Sequence, residues 1–241
     1  MSLSNNIANW IKQRVKDSKA NGIVVGLSGG IDSACVAALA KMAIGDNVLG
    51  LILSCQSDSQ DERFAQLVVD KFKIKKEKVC LDPVYNKFIG ILPDSDKLSF
   101  ANLKPRLRMV ALYYFANKLN YLVAGTGNKS EALVGYFTKY GDGGVDILPL
   151  GGLLKTEVRA LAKELEVPKE VIERIPTAGL WQGQTDESEL GIKYEDLDQI
   201  IIAIESGKEK IRFSQTIVNK VKKLIKDSEH KRLPVPIYRK K

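Results

Sequence analysis

The segment with the clearest chemical meaning is Ser-Gly-Gly-Ile-Asp-Ser at residues 28–33, which joins a β-branched run ending at Leu27 to an apolar helical stretch. A glycine turn between a strand and a helix points backbone N–H groups into one concavity, at the positive end of the helix dipole. Ser28 and Ser33 add hydroxyl donors, and Asp32 adds a carboxylate where a phosphate-bound Mg²⁺ would sit. The segment therefore predicts a polyphosphate site with a magnesium ion.

A second polar segment, residues 125–131, follows another apolar run. Thr126 lies where that run ends and can bond a nucleotide. Glu131 comes one turn later and can reach the same metal ion as the first segment. The alternative is that Asn128 or Ser130 caps a helix and that Glu131 only occupies its first turn.

Residues 135–146 interleave glycines with aromatic side chains and Lys139. Such a segment allows close backbone approach to a flat, charged ligand, although a wide glycine loop whose acids cap turns is the plainer interpretation. Further along, Lys155 precedes Thr156, which the pattern predicts as a helix N-cap. Lys155 is either a phosphate contact or an exposed charge, and residues 176–178 resemble a turn.

Length and composition indicate one α/β domain over residues 1–241, since 44% of the 241 residues are hydrophobic and 7% are aromatic. No run of about 18 apolar residues predicts a membrane span, and the first twenty residues lack the apolar core of a signal peptide. Cys35, Cys55 and Cys80 form no CxxC pair and are expected to be reduced. These features predict a cytoplasmic protein without a membrane partner.

The formal charge of +8 has three explanations. It could mark a nucleic-acid surface at Lys71–Lys76 and along the tail from Lys220 onward. It could equally serve substrates that carry several phosphates, or be ordinary surface lysine. Charge alone does not choose among them. His230 is the only histidine and has no ligand partners, so a zinc site is not expected.

The spacing of the apolar runs predicts an open parallel sheet with helices on both faces and a helical C-terminal part from Lys155 onward. Ligands bind such sheets at the carboxyl ends of the strands, where both polar segments fall. Residues 176–191 are rich in Gly, Thr, Gln and acids and are expected to form a long mobile loop. The first helix, with Ile7, Trp10, Ile11 and Val15 on one face, should pack on the domain or on a partner. The predicted strands are Ile23–Leu27, Val48–Ser54, Lys78–Leu81 and Tyr121–Ala124, and the predicted helices between them are Ala34–Ile44, Asp61–Lys73 and Arg106–Leu119.

Taken in order, the motifs resemble ammonia-dependent NAD synthetase over nearly the whole chain. The first motif is that of all ATP pyrophosphatases and is not a Walker A loop; the Thr-Lys-Tyr-Gly-Asp-Gly-Gly segment is more specific to this family. The matching motifs are residues 28–33, 104–109, 125–131, 137–144, 176–178 and 230–231.

The resemblance implies a Rossmann-like, adenine nucleotide α-hydrolase fold and a homodimer. It also implies a ligase that attaches AMP to the carboxylate of deamido-NAD, releases pyrophosphate, and lets ammonia displace AMP to give NAD. ATP would contact Gly26, Leu27, Ser28, Gly29, Gly30, Ile31, Asp32, Ser33, Thr126, Lys155 and Thr177, and Mg²⁺ would bind Asp32 and Glu131. Deamido-NAD would contact Arg106, Lys139, Asp146, His230 and Lys231. Asp32, Lys155 and Asp146 would be catalytic, with Asp146 near the ammonia.

Three other functions compete with this one. A tRNA-modifying ATP pyrophosphatase would explain the basic tail, although the chain carries no CxxC pair and no extra RNA-binding domain. The synthetases of GMP, asparagine or argininosuccinate need other segments in place of residues 137–144. A nucleotide sensor that keeps the fold without catalysis is the third. The resemblance favours small-molecule substrates and no nucleic acid.

Overall fold

The carboxyl ends of four parallel strands form the edge on which the site is built. The computed structural model describes residues 2–181, 183–207 and 212–240, and within them the strands hydrogen-bond in the order β3-β2-β1-β4. The strands are β1 (Gly22–Gly26), β2 (Val48–Ser54), β3 (Lys75–Cys80) and β4 (Tyr121–Ala124). The helices are α1 (Leu3–Asp17), α2 (Ile31–Ile44), α3 (Ser59–Phe72), α4 (Asp82–Ile89), α5 (Lys97–Ala101), α6 (Leu103–Leu119), α7 (Lys129–Val134), α8 (Lys155–Glu164), α9 (Lys169–Ile172), α10 (Asp186–Leu190), α11 (Tyr194–Glu205), α12 (Gln215–Asp227) and α13 (Glu229–Arg232).

Alternate residues of β1 enter two different hydrophobic cores, one on each face of the sheet. Ile23 and Val25 pack with α1, α2, α3, α8 and α9, whereas Val24 packs with α4, α6 and the facing residues of β2. A strand buried on both faces is an apolar run rather than an alternating one. The predicted open parallel sheet with helices on both faces is confirmed.

The predicted elements were correct in kind and shifted at their ends. β2 and β4 have the predicted bounds, and β1 begins and ends one residue earlier. The predicted strand Lys78–Leu81 begins instead at Lys75, because its first residues are lysines and a glutamate that hide the strand pattern. These side chains are exposed on an edge strand, where charge prevents pairing with another sheet. Lys78 forms an ion pair with Glu62 of α3.

The C-terminal part is helical, as predicted, and has a core of its own. Its apolar residues come mainly from α7, α10, α11 and α12, with Tyr194 completely buried among them. The prediction of a long loop over residues 176–191 was wrong for its last third, since Asp186–Leu190 form α10. Thr185 caps that helix by accepting from the Ser188 N–H. Gln182 of that segment lies outside the described residues.

The first helix packs on its own domain, which is one of the two alternatives that its pattern left open. Ala8, Ile11 and Val15 of α1 are buried, and Ile11 and Val15 pack into the same core as α2. Trp10 remains partly exposed, with the Arg14 guanidinium 5.9 Å from its ring centre.

Across the residues that the structure covers, we find no helix with the length and apolar character that a bilayer crossing needs.

Candidate functional site

The loop between β1 and α2 is folded as an anion cradle. Gly29 has φ +76°, and a Cβ there would lie 2.5 Å from the Asp61 carbonyl oxygen, so both its conformation and its surroundings require glycine. Gly30 is the N-cap of α2 and has no side chain with which to occupy the first-turn N–H groups. Ser33 is buried and its hydroxyl donates to the Gly30 carbonyl at 2.8 Å, so this serine shapes the loop.

Arg174 holds the same loop from the other side, and sequence analysis did not identify it. Its guanidinium donates to the Ser28 carbonyl oxygen at 3.3 Å and to the Asp61 carboxylate, and it lies 5.0 Å from the centre of the Phe64 ring. Because α3 and the segment before Pro176 both meet the loop through this side chain, Arg174 fixes the backbone on which a phosphate would rest.

A buried ammonium lies between the two predicted metal ligands. Lys155 Nζ donates to Asp32 Oδ2 at 2.5 Å and to Glu131 Oε1 at 2.9 Å. The Lys155 side chain is 2% exposed, and those of Asp32 and Glu131 are 17% and 16% exposed. The two polar segments identified in the sequence thus meet at one cation, as their positions at adjacent strand ends predict.

The helix-capping interpretation of the second polar segment is confirmed, whereas the role of Glu131 as a metal ligand stays a prediction. Asn128 is the N-cap of α7 and accepts from the Glu131 N–H at 3.0 Å, while Glu131 Oε2 accepts from the Asn128 N–H at 3.4 Å. The Asn128 side-chain amide also donates to Asp32 Oδ1 at 2.9 Å. The capping box therefore aims the remaining Glu131 oxygen at Lys155.

A buried carboxylate sets the position of Lys155 at the start of α8. Asp198 of α11 accepts from the Ser130 hydroxyl and from the Thr156 N–H, the latter at 2.8 Å. The Lys155 N–H donates to Ser130 Oγ at 2.9 Å. The prediction that Thr156 is an N-cap was wrong, because the helix begins at Lys155 and Asp198 supplies the capping oxygen from another helix.

Tyr194 extends the cluster toward α10. Its ring lies 5.0 Å from Lys155 Nζ, and its hydroxyl lies 3.0 Å from Asp186 Oδ2 and 3.3 Å from Glu131 Oε1. Burial raises the pKa of Glu131 to about 7, against the opposing effect of Lys155. Burial alone would lower the pKa of Lys155, but Asp32 and Glu131 raise it above its ordinary value. Lys155 is therefore a permanent cation at neutral pH.

These residues line one cleft of about 600 Å³ at the carboxyl edge of the sheet. Every predicted ATP contact except Gly29 lines it, including Thr126 and Thr177. Phe137, Asp142 and Lys231 also line the cleft. A cavity of this size is in the range of small-molecule and cofactor sites.

The predicted dinucleotide contacts gather around the loop at Lys139, with one exception. Lys231 donates to the Gly135 and Phe137 carbonyls at 2.8 and 2.9 Å, and Lys139 donates to the His230 carbonyl at 2.7 Å. Arg106 donates to the Lys139 carbonyl at 3.4 Å. Of these four, Lys231 is the one that lines the cleft within the described chain.

Asp146 is the exception, because both of its carboxylate oxygens are engaged within the chain away from the cleft. Oδ1 accepts from the Tyr113 hydroxyl at 3.0 Å, and Oδ2 accepts from the Val123 N–H at 2.8 Å. Its own N–H donates to the Val123 carbonyl at 3.0 Å. These contacts tie the glycine-rich loop to β4.

Replacing Lys155 should lower both the free energy of unfolding and the activity. Lys155→Met removes the cation between two enclosed carboxylates, and breaking a buried pair in this way typically costs about 3–5 kcal/mol. The matched control is Lys129→Met, which removes the partner of the more exposed Glu205 and should cost at most about 1 kcal/mol. Urea unfolding at pH 7 measures both, and an equal, small loss in the two variants would contradict the buried-cation assignment.

The chain is similar to known proteins over nearly its whole length. A family model described as NAD synthase matches residues 3–235. The NH(3)-dependent NAD(+) synthetases of Carboxydothermus hydrogenoformans and Methanocaldococcus jannaschii are 45% and 49% identical, covering 94% and 96% of this chain and 92% and 94% of the relatives.

Solved structures match over the same extent. The NMN synthetase of Francisella tularensis superposes with a TM-score of 0.90 at 36% identity, covering 98% of this chain and 97% of that one. The NH3-dependent NAD synthetase of Campylobacter jejuni gives 0.86 at 30% identity, again covering 98% and 97%. The cradle, the buried lysine cluster and these matches together establish that the chain belongs to the NAD synthase family.

Proposed function

We propose that this protein is an ammonia-dependent NAD synthetase, which amidates deamido-NAD with ammonia and converts ATP to AMP and pyrophosphate. One observation carries the proposal: the anion cradle of residues 28–33 and the Lys155 cluster face one cleft, which Lys231 also lines. The relatives named NH(3)-dependent NAD(+) synthetase support it over nearly their whole length.

The chemistry needs two anionic substrates to be held together. A carboxylate oxygen of deamido-NAD attacks the α-phosphorus of ATP, and pyrophosphate leaves with the electrons of the broken P–O bond. Backbone N–H groups at the start of α2 stabilise the charge that develops on the departing pyrophosphate. Alignment of two bound reactants is worth up to about 7–11 kcal/mol. Ammonia then attacks the acyl carbon, the C–O bond to AMP breaks with its electrons leaving on AMP, and the nitrogen loses one proton to solvent to give the amide.

Mg²⁺ fits the donor set at the cradle. Asp32 and Glu131 offer hard oxygen ligands, and no cluster of three or more metal-ligating side chains occurs in the described ranges, so ATP oxygens and waters would complete the shell. When bound, Mg²⁺ would offset charge on the triphosphate. Lys155 donates to both carboxylates and so holds them in place beside the cradle.

The test of the proposed function is the substrate dependence of ATP cleavage. The purified protein should release pyrophosphate only with a carboxylate substrate present, and form amide with ammonium chloride but little with glutamine. The assay compares deamido-NAD with nicotinic acid mononucleotide, because one structural neighbour is an NMN synthetase. Higher kcat/KM for the mononucleotide would make NMN synthesis the function, and ATP cleavage without either substrate would reject both.

Removing the proposed metal ligands should affect the first step. Asp32→Ala removes the carboxylate next to the cradle and should abolish Mg²⁺-dependent pyrophosphate release, and Glu131→Ala should slow it by about 10² or more. Asp70→Ala, on an exposed part of α3, is the matched control. Wild-type rates in both variants at limiting Mg²⁺ would contradict the metal assignment.

The role of Asp146 in amidation stays a prediction, and its contacts support the structural alternative. Because the carboxylate braces β4 and Tyr113, we expect Asp146→Asn to change pyrophosphate release and NAD formation by the same factor. Rapid-quench measurement of both products separates the roles. Normal pyrophosphate release with slow NAD formation at low ammonium would instead support the sequence-based role near ammonia.

A homodimer is the proposed assembly, and α6 offers a surface for it. Val110 and Tyr114 lie four residues apart on this helix and are 61% and 62% exposed, and exposed apolar patches mark interfaces. Light scattering at micromolar concentration should give twice the chain mass of 26.7 kDa. Val110→Glu should lower that mass, and a wild-type monomer would contradict the proposal.

The proposed location is the cytoplasm, where the reduced thiols of Cys35, Cys55 and Cys80 are stable.

A further inference from the structure

Tyr140 adopts a backbone conformation that an aromatic residue rarely takes. The Gly141 N–H donates to the Thr138 carbonyl at 2.9 Å, and within the turn that this bond closes Tyr140 has φ +60°. Positions with positive φ in tight turns are ordinarily glycine or asparagine, because a larger side chain crowds the following carbonyl. The turn alone therefore does not explain the tyrosine, and strain of this kind points to a functional use of the side chain.

The turn presents Tyr140 to solvent beside the cleft. Thr138 and Gly141, the first and last residues of the turn, line the cleft, whereas Tyr140 is 56% exposed. An exposed aromatic ring offers a face on which a nucleotide base can stack. Tyr140 is thus placed to meet a part of a ligand that extends beyond the cleft.

Two cations adjoin the Tyr140 ring. Lys139 Nζ lies 5.4 Å from the centre of the ring and donates to the His230 carbonyl at 2.7 Å. The Arg106 guanidinium donates to the Lys139 carbonyl at 3.4 Å. The acceptors in both hydrogen bonds are neutral carbonyl groups, so these bonds do not cancel the two positive charges. An aromatic face with neighbouring cations is the combination that binds a nucleotide through its base and its phosphates.

The proposed reaction has one substrate that is long enough to reach both the cleft and the Tyr140 turn. The nicotinate carboxylate of deamido-NAD must meet the α-phosphorus of ATP, so the adenine-bearing half of the dinucleotide lies away from that point. Nicotinic acid mononucleotide lacks this half. We propose that Tyr140 stacks on the adenine of deamido-NAD and so makes the enzyme prefer the dinucleotide over the mononucleotide; this rests on the proposed function.

The test is the substrate preference of Tyr140→Gly in the full chain. Glycine is unstrained at this φ, so Tm should stay within about 2 °C or rise. Loss of the stacked base should raise KM for deamido-NAD at least ~5-fold. Because the adenine is remote from the reacting carboxylate, kcat for deamido-NAD and kcat/KM for the mononucleotide should both stay within about twofold. Tyr140→Phe keeps the ring and should keep the wild-type constants.

Lys19→Gly is the matched control for the change in the backbone. Lys19 is exposed, has φ +57° and follows α1, so this substitution relieves the same kind of strain outside the Tyr140 turn. It should leave the constants for both substrates unchanged. An equal rise of KM for deamido-NAD in Lys19→Gly would overturn the stacking role, because the effect would then come from a more flexible chain.

The remaining outcomes are separable. An unchanged KM for deamido-NAD in Tyr140→Gly, or an equal loss of kcat/KM for both substrates, would overturn the stacking role while leaving the proposed function in place. A clearly lower Tm or a lower mass by light scattering would also overturn it, because the ring would then pack within the chain or between two copies. Wild-type protein with higher kcat/KM for the mononucleotide would reject the proposed function itself.

Discussion

The structure depends on one buried cation, the Lys155 ammonium between Asp32 and Glu131. A lysine that is 2% exposed is stable only where its charge is matched, and here the two carboxylates come from segments that follow β1 and β4, which are paired in the sheet. Each partner is held by a further contact: Asn128 donates to Asp32, and the capping box fixes Glu131. The cluster thus joins the two halves of the nucleotide cleft.

The parallel sheet explains why these groups meet at all. In its order β3-β2-β1-β4, the central strand β1 ends in the cradle and its neighbour β4 ends in the Thr126 segment. Helix α11 of the C-terminal part then packs against the Lys155 cluster. Asp198 and Tyr194, both on α11, position Lys155 through its backbone and its side chain. The C-terminal helical core, which packs around Tyr194, therefore holds in place the side chains that position Lys155 at the edge of the sheet.

The sequence predicted those features of the fold and the site that depend on short segments of the chain. The strand–glycine turn–helix pattern at residues 28–33 predicted the anion cradle, and the apolar runs predicted an open parallel sheet, because both follow from short segments. It did not reveal Arg174 or Asp198, since each contacts residues far away in the chain and neither stands in a recognisable spacing. The start of β3 was missed because an edge strand tolerates lysines, and α10 was missed because its polar residues resemble a loop.

The central claim is that this cleft activates a carboxylate as an acyl-adenylate before ammonia attacks. The most direct measurement uses deamido-NAD labelled with ¹⁸O in the nicotinate carboxylate, with ATP, Mg²⁺ and ammonium, and mass analysis of the products. The account predicts that one labelled oxygen appears in the phosphate of AMP and none in pyrophosphate, since the attacking oxygen stays on the α-phosphorus. Label in pyrophosphate, or unlabelled AMP formed together with NAD, would contradict it.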